Sequence, residues 1–193
     1  MDATALPGAP ATAARPARAG RNAAIGLITL SLFAGTAARY ALSPLQELVR
    51  VDLGLGDNQV ALLQGMAIAL PTALMSVPLG RLVDRGNRAR LLLVLAILCA
   101  AGSVLTALAH NFALAFCARM LVCAAVVAAQ PTALSLVADL TAPDQRGRMI
   151  TLTALGQAMG GTVAYILAGK LLAWLPVLAP SLVSSMAPWR LVT

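Results

Sequence analysis

Long apolar runs alternate with short polar segments along this chain, and their spacing predicts helices. Five runs reach the roughly 20 residues that an α-helix needs to cross a bilayer core. They lie at residues 23–42, 59–79, 91–109, 112–137 and 150–169. Backbone polar groups cannot go unpaired in hydrocarbon, so helices are the spanning form to expect from such runs. The stretch after the fifth run, "LLAWLPVLAPSLVSSMAP", is broken by prolines, and "WRLVT" reads as the start of a sixth span. Residues 1–22 are rich in Ala, Pro, Gly and Arg and lack the apolar content to fold, which predicts a disordered tail. The first apolar run exceeds a signal-peptide core and ends at no clear cleavage site, so it is read as a retained span.

Composition agrees with a lipid solvent. The chain is 60% hydrophobic and 11% charged, against roughly 25% charged residues in soluble domains. A net charge of +7 would suit nucleic acid only if it formed a basic face on a soluble fold. Here the arginines stand between apolar runs, so no nucleic-acid partner is expected. The interhelical segments on the tail's side hold Arg15, Arg18, Arg21, Arg81, Arg85, Arg88, Arg90, Arg146 and Arg148, against Arg50, Lys170 and Arg190 opposite. That bias places the tail and both basic loops in the cytoplasm, in a multi-pass protein of the inner membrane. Cys99, Cys117 and Cys123 lie inside apolar runs without metal-type spacing and read as small buried hydrophobes. Neither a nucleophile elbow, a His-Glu-x-x-His motif nor a phosphate loop is present, so no enzyme, metal or cofactor is expected.

Two inner segments concentrate the charge. "GRLVDRGNRAR", Gly80 to Arg90, has five charged residues in eleven, and "ADLTAPDQRGRM", Ala138 to Met149, repeats the arrangement. Gly80 permits close helix approach at the end of the second run. Asp84 among Arg85, Arg88 and Arg90 suggests ion pairs that form and break, although a short basic loop would read similarly. Asp139 ends the fourth run, Pro143 blocks its continuation, and Arg146 and Arg148 precede the fifth.

The first segment resembles the signature loop of major facilitator superfamily transporters, Gly-x-Leu-x-Asp-Arg-x-Gly-Arg-x-Arg. Gly80, Leu82, Asp84, Arg85, Arg88 and Arg90 match it, while the second glycine falls at Asn87 and Gly86 stands one place early. Arg119, the Asp-x-x-x-Pro-x-x-Arg-Gly-Arg form of Asp139 to Arg148, and Trp189–Arg190 fit the same family. "DRGNR" and "ADLTAPDQRGRM" most resemble its spinster-type branch, which is linked to lipids and lysolipids. The resemblance implies an all-α membrane protein, the N-terminal helical half of that fold, with five spans and the start of a sixth. It also implies that Asp84, Arg85, Arg88 and Arg90, with Asp139, Arg146 and Arg148, latch two six-helix halves together on the cytoplasmic side. The C-terminal half is absent from the sequence, which leaves a fragment, a truncated product or a half-unit with a partner chain as expectations.

Charge inside a span costs roughly 2.5–3.5 kcal/mol per Arg on insertion scales, so Arg39 and Arg119 are candidate functional residues. Thr29, Thr36, Arg39 and Ser43 form one helical stripe, and Arg119, Cys123, Val126 and Gln130 form another. Gln64, Thr153 and Gln157 add neutral hydrogen-bonding groups. Two arginines with no carboxylate in any span suggest an anionic ligand, while snorkelling to the interface remains the other reading of each. Spinster-like proteins carry an acid before the first-helix Arg-Tyr pair, here Arg39–Tyr40, and a Glu seven residues after the fourth-helix Arg. This chain has Ala38 and Val126 there, which argues against proton coupling. The expected substrate pathway is therefore Thr36, Arg39, Tyr40, Gln64, Arg119, Gln130 and Gln157. The expected function is alternating-access transport of a small organic solute, anionic or lipid-like. The alternative is a non-transporting, membrane-embedded protein that binds partner helices.

Overall fold

The computed structural model describes residues 18–74 and 86–178. The expectations for residues 1–17, for the end of the second run, for Gly80, Asp84 and Arg85, and for the sixth span fall outside them. Every element among the described residues is helical: α1 (Arg18–Ala41), a 3₁₀ turn (Ser43–Leu45), α2 (Gln46–Leu53), α3 (Asp57–Gln64), α4 (Arg88–Ala107), α5 (Phe112–Leu140) and α6 (Arg146–Leu178). Helical backbone also covers residues 66–74. Among the described residues, four helical stretches are long and apolar enough to cross a membrane, Gly20–Leu53, Arg88–Ala107, Phe112–Leu140 and Arg146–Trp174.

The helices are longer than the apolar runs because capping, not hydropathy, sets helix ends. Asn87 Oδ1 accepts hydrogen bonds from the amides of Ala89 (3.1 Å) and Arg90 (3.2 Å), so α4 starts three residues before its apolar run. The residue standing where the transporter pattern has glycine is thus an N-cap. Asn111 does the same for α5 through the Leu114 amide at 2.8 Å. The helix α6 runs on past Lys170 to Leu178, so the lysine lies within the helix rather than at its end. The polar segment after α1, expected as a loop, instead folds into the 3₁₀ turn and α2. Leu45 and Val49 give that segment an apolar face to bury. Gly54, at φ 61°, then ends α2 in the left-handed conformation that glycine adopts without strain.

Two helix pairs dominate the packing, α4 against α5 and α1 against α6. The short turn between α4 and α5 makes them antiparallel. The pair α1 and α6 is parallel: Thr29 lies against Gly156, Phe33 against Gly160 and Tyr40 against Gly161. The absence of a side chain at Gly160 is what permits this approach, because a Cβ there would run into the Phe33 carbonyl. Gly102 plays the same part in α4, where a Cβ would sit 2.7 Å from Val122 Cγ2. Apolar clusters hold the bundle at both ends, Leu42, Leu45, Val49, Leu55 and Leu63 at one and Ile28, Leu32, Leu92 and Val137 at the other. Leu27, Leu93, Ile97, Leu155 and Ile166 project outward. Such side chains would be a liability in water and are at home against lipid.

Candidate substrate cavity

A cavity of about 510 Å³ opens between α1, α5 and α6, lined by Thr36, Arg39, Tyr40, Gln130, Ala154, Gln157, Ala158, Gly161, Thr162 and Tyr165. Its shape follows from local sequence. The small residues Ala154, Ala158 and Gly161 recur at helical spacing on α6 and leave room along one face. Opposite them the last turns of α1 present Thr36, Arg39 and Tyr40. Gln130 reaches in from α5, one residue before Pro131. That proline has no amide to give the carbonyl of Val127, which loosens the helix ladder beside the cavity.

Tyr40 and Tyr165 bridge α1 and α6 at one end of the cavity, their ring centroids 6.1 Å apart and their planes tilted by 36°. The Arg39 guanidinium carbon lies 5.7 Å from the Tyr40 ring centroid, within range of a cation–π contact. Arg119 stands behind this wall rather than in it. Only 2% of it is exposed.

Hydrogen-bond satisfaction separates this region from the rest of the bundle. The buried threonines Thr106, Thr132, Thr141 and Thr153 each donate their hydroxyl to the carbonyl four residues back, at 2.7–2.9 Å. Thr36 is buried too, yet its Oγ1 has no partner among the described residues. The same holds for Nε of Arg39 and Nε of Arg119. Such orphaned polar atoms are costly, because each gives up water without a replacement.

The structure gathers five of the seven expected pathway residues at the cavity, Thr36, Arg39, Tyr40, Gln130 and Gln157. Arg119 is their neighbour and does not line it. Gln64 is elsewhere: its amide donates to Gln46 Oε1 at 3.2 Å and ties α3 to α2. An amide on an apolar run has no fixed address until a neighbouring element offers it a partner. Thr29 and Thr153 likewise face each other across the α1–α6 seam, 3.4 Å apart. Tyr165, Thr162 and Gly161 were not singled out by sequence, although their spacing from Gln157 puts them on its face of the helix.

At the other end of the bundle the two charged segments meet. Arg88 at the start of α4 pairs with Asp139 near the end of α5. Arg146 Nε donates to the carbonyl of Ala138 at 3.1 Å and so caps α5. Arg90 and Arg148 are exposed. Each partner of the Arg88–Asp139 pair sits at the helix end its own macrodipole disfavours, a cation at an N-terminus and an anion near a C-terminus. Their mutual contact offsets this.

Residues 27–192 match the family model of the Major Facilitator Superfamily. The chain belongs to that superfamily. A triacylglyceride transporter of Mycolicibacterium hassiacum is 30% identical over 179 residues, which cover 89% of this chain and 32% of that protein. Two crystal structures of a bacterial homologue of the human lysosomal transporter Spinster are similar in fold, both inward-facing. The unoccupied form superposes with a TM-score of 0.80 and the occupied form with 0.83, each at 25% identity over 91% of this chain. The match covers 40% and 41% of those chains, so the sequence spans 32–41% of these relatives' lengths. Within the superfamily fold the chain corresponds to the N-terminal helical half. It is a multi-pass membrane protein whose relatives are transporters.

Proposed function

We propose that this chain forms one half of an alternating-access transporter for a small organic solute, anionic or lipid-like. The observation that supports it most is the cavity between α1, α5 and α6, whose polar lining of Thr36, Arg39, Gln130 and Gln157 is set in an otherwise apolar bundle. Major facilitator folds bind substrate between two related halves near the bilayer midplane. The second half comes from further sequence or from a partner chain. The basic segments put the N-terminus in the cytoplasm at the inner membrane.

In the same reading, the cytoplasmic charge cluster is the gate. Arg88 and Asp139, with Arg90, Arg146, Arg148 and the preceding Gly80, Asp84 and Arg85, make the contacts that exchange when the halves rock. Two experiments test this. An N-terminal tag introduced at the native locus reports the mass of the natural product, and a product of this length with no partner chain removes the alternating-access reading. The purified native protein in proteoliposomes should then move a labelled organic anion or lipid saturably. Flux unchanged by Asp84→Asn would remove the gate.

A further inference from the structure

The two tight helix pairs, α4 with α5 and α1 with α6, are joined mainly through α1 and α5, while α1 and α4 barely touch. At the end of the bundle where α1 and α4 start, this leaves a second cavity of about 490 Å³ between α1, α4 and α5. It shares no lining residue with the substrate cavity. Ala24 and Ala89 are too small to close it, and Ile28 and Leu92 make its buried floor. Leu27 and Leu93 stand exposed at its rims, so it opens to the outside of the bundle. The lining is almost wholly apolar, with Ser31 as its one polar residue. In a bilayer such a slot takes hydrocarbon.

Basic residues flank the apolar slot. Arg21 precedes Ala24 by three residues, so the two share a face of α1, and Arg90 follows Ala89 at the start of α4. Arg90 is exposed and Arg21 half-buried, and neither forms a salt bridge among the described residues. Arg88 is instead paired with Asp139. Basic clefts between spans at the cytoplasmic surface suit anionic headgroups. We propose that the slot holds one acyl chain of an anionic phospholipid, with its phosphate held by Arg21 and Arg90. The guanidinium groups donate charge-assisted hydrogen bonds to the phosphate oxygens. Asn87 already occupies the amides of Ala89 and Arg90, so the arginine side chains rather than the helix end carry the headgroup. A neutral lipid fills the slot without that anchor and exchanges with the bulk. The lipid is a fixed component of the fold and not cargo, so the site stands apart from the transport reading. The proposed orientation enters only in assigning the lipid to the cytoplasmic leaflet.

The test uses the intact native polypeptide in phosphatidylcholine nanodiscs, with Leu93→Trp at the rim of the slot as a fluorescent reporter. Dibrominated phosphatidylglycerol or dibrominated phosphatidylcholine is titrated in, and quenching is counted in excess of the wild type, which carries Trp174 and Trp189. Phosphatidylglycerol should occupy the reporter site at least about fivefold more tightly than phosphatidylcholine, the scale of one arginine near an anionic headgroup. A control reporter, Val104→Trp, sits exposed toward the far end of α4 and should be quenched alike by both lipids. Arg21→Gln combined with Arg90→Gln should abolish the preference at the Leu93→Trp reporter while leaving full quenching at saturating brominated lipid. Equal quenching by the two lipids at that reporter means ordinary boundary lipid and overturns the proposal. So does an absence of quenching, which means that protein covers the slot, and so does a preference that survives the loss of both arginines. If the reporter variant does not fold, native mass spectrometry decides. The wild type should retain one phosphatidylglycerol per polypeptide and the double arginine variant none, and equal retention by both overturns the proposal. Both leaflets of the nanodisc supply the lipid, so a reversed orientation in the membrane leaves every one of these results unchanged.

Discussion

Arg88 and Arg119 lie on adjacent, antiparallel helices and meet opposite circumstances. Arg88 is partly exposed at a helix end and paired with Asp139. Arg119 is buried mid-helix with its Nε unpartnered. The first charge is satisfied within the chain, and water can replace its partner when the pair opens. Such pairs contribute little to stability, about 0–1 kcal/mol, and suit a contact that must break and re-form. The second leaves its Nε without a partner among the described residues, where water cannot reach it. The same side chain thus stands in two settings within one membrane half, and depth in the bundle decides which.

Removing the buried charge should have the largest effect. Arg119→Gln is expected to weaken binding of an anionic ligand by about 10- to 100-fold, measured as Kd on the purified native protein. Unchanged affinity would mean that the buried guanidinium takes no part in binding the ligand. Gly160→Ala comes next and breaks the comparison from its structural side. The added methyl meets backbone, which cannot rotate away, so the α1–α6 seam must open at a cost of about 1–3 kcal/mol. Thermal unfolding measures this against Gly26→Ala, whose position is open, and equal midpoints for the two variants would sink the packing argument. Thr36→Val should cost about 3- to 10-fold in affinity, one neutral hydrogen bond, with no loss of stability because the hydroxyl has no partner to lose. Asp139→Asn is expected to change unfolding by less than about 1 kcal/mol while slowing flux several-fold. An effect on stability without one on flux would recast the Arg88 pair as a staple. The smallest change is Arg50→Gln, whose exposed pairs with Glu47 and Asp57 should be worth within about 0.5 kcal/mol.

Much of this was legible in the order of residues. Apolar runs of bilayer length, interrupted by arginine-rich loops, leave few folds available, and Gly80 to Arg90 narrowed them to one superfamily. Helix ends were less legible, since Asn87 and Asn111 act through single capping bonds that hydropathy does not register. Arg39 and Arg119 stood out because charge in a span is rare. Gln64 misled, because an amide in an apolar run signals only that it needs a partner, and α2 supplied one. Tyr165 and Thr162 are ordinary residues on a long helix until the parallel approach of α1 and α6 brings them to the cavity.

Solvent and helical form were therefore written into the one-dimensional pattern, since burying backbone amides in lipid admits helices and little else. The pairing of helices was not. Whether Thr29 meets Thr153, whether Arg88 finds Asp139, and whether Thr36 faces an open cavity instead of its own carbonyl depend on distances between segments far apart in sequence. Those distances are set by where glycine lets two backbones touch, and the close fit of α1 to α6 at Gly160 leaves the polar face of Thr36 and Arg39 turned toward empty space.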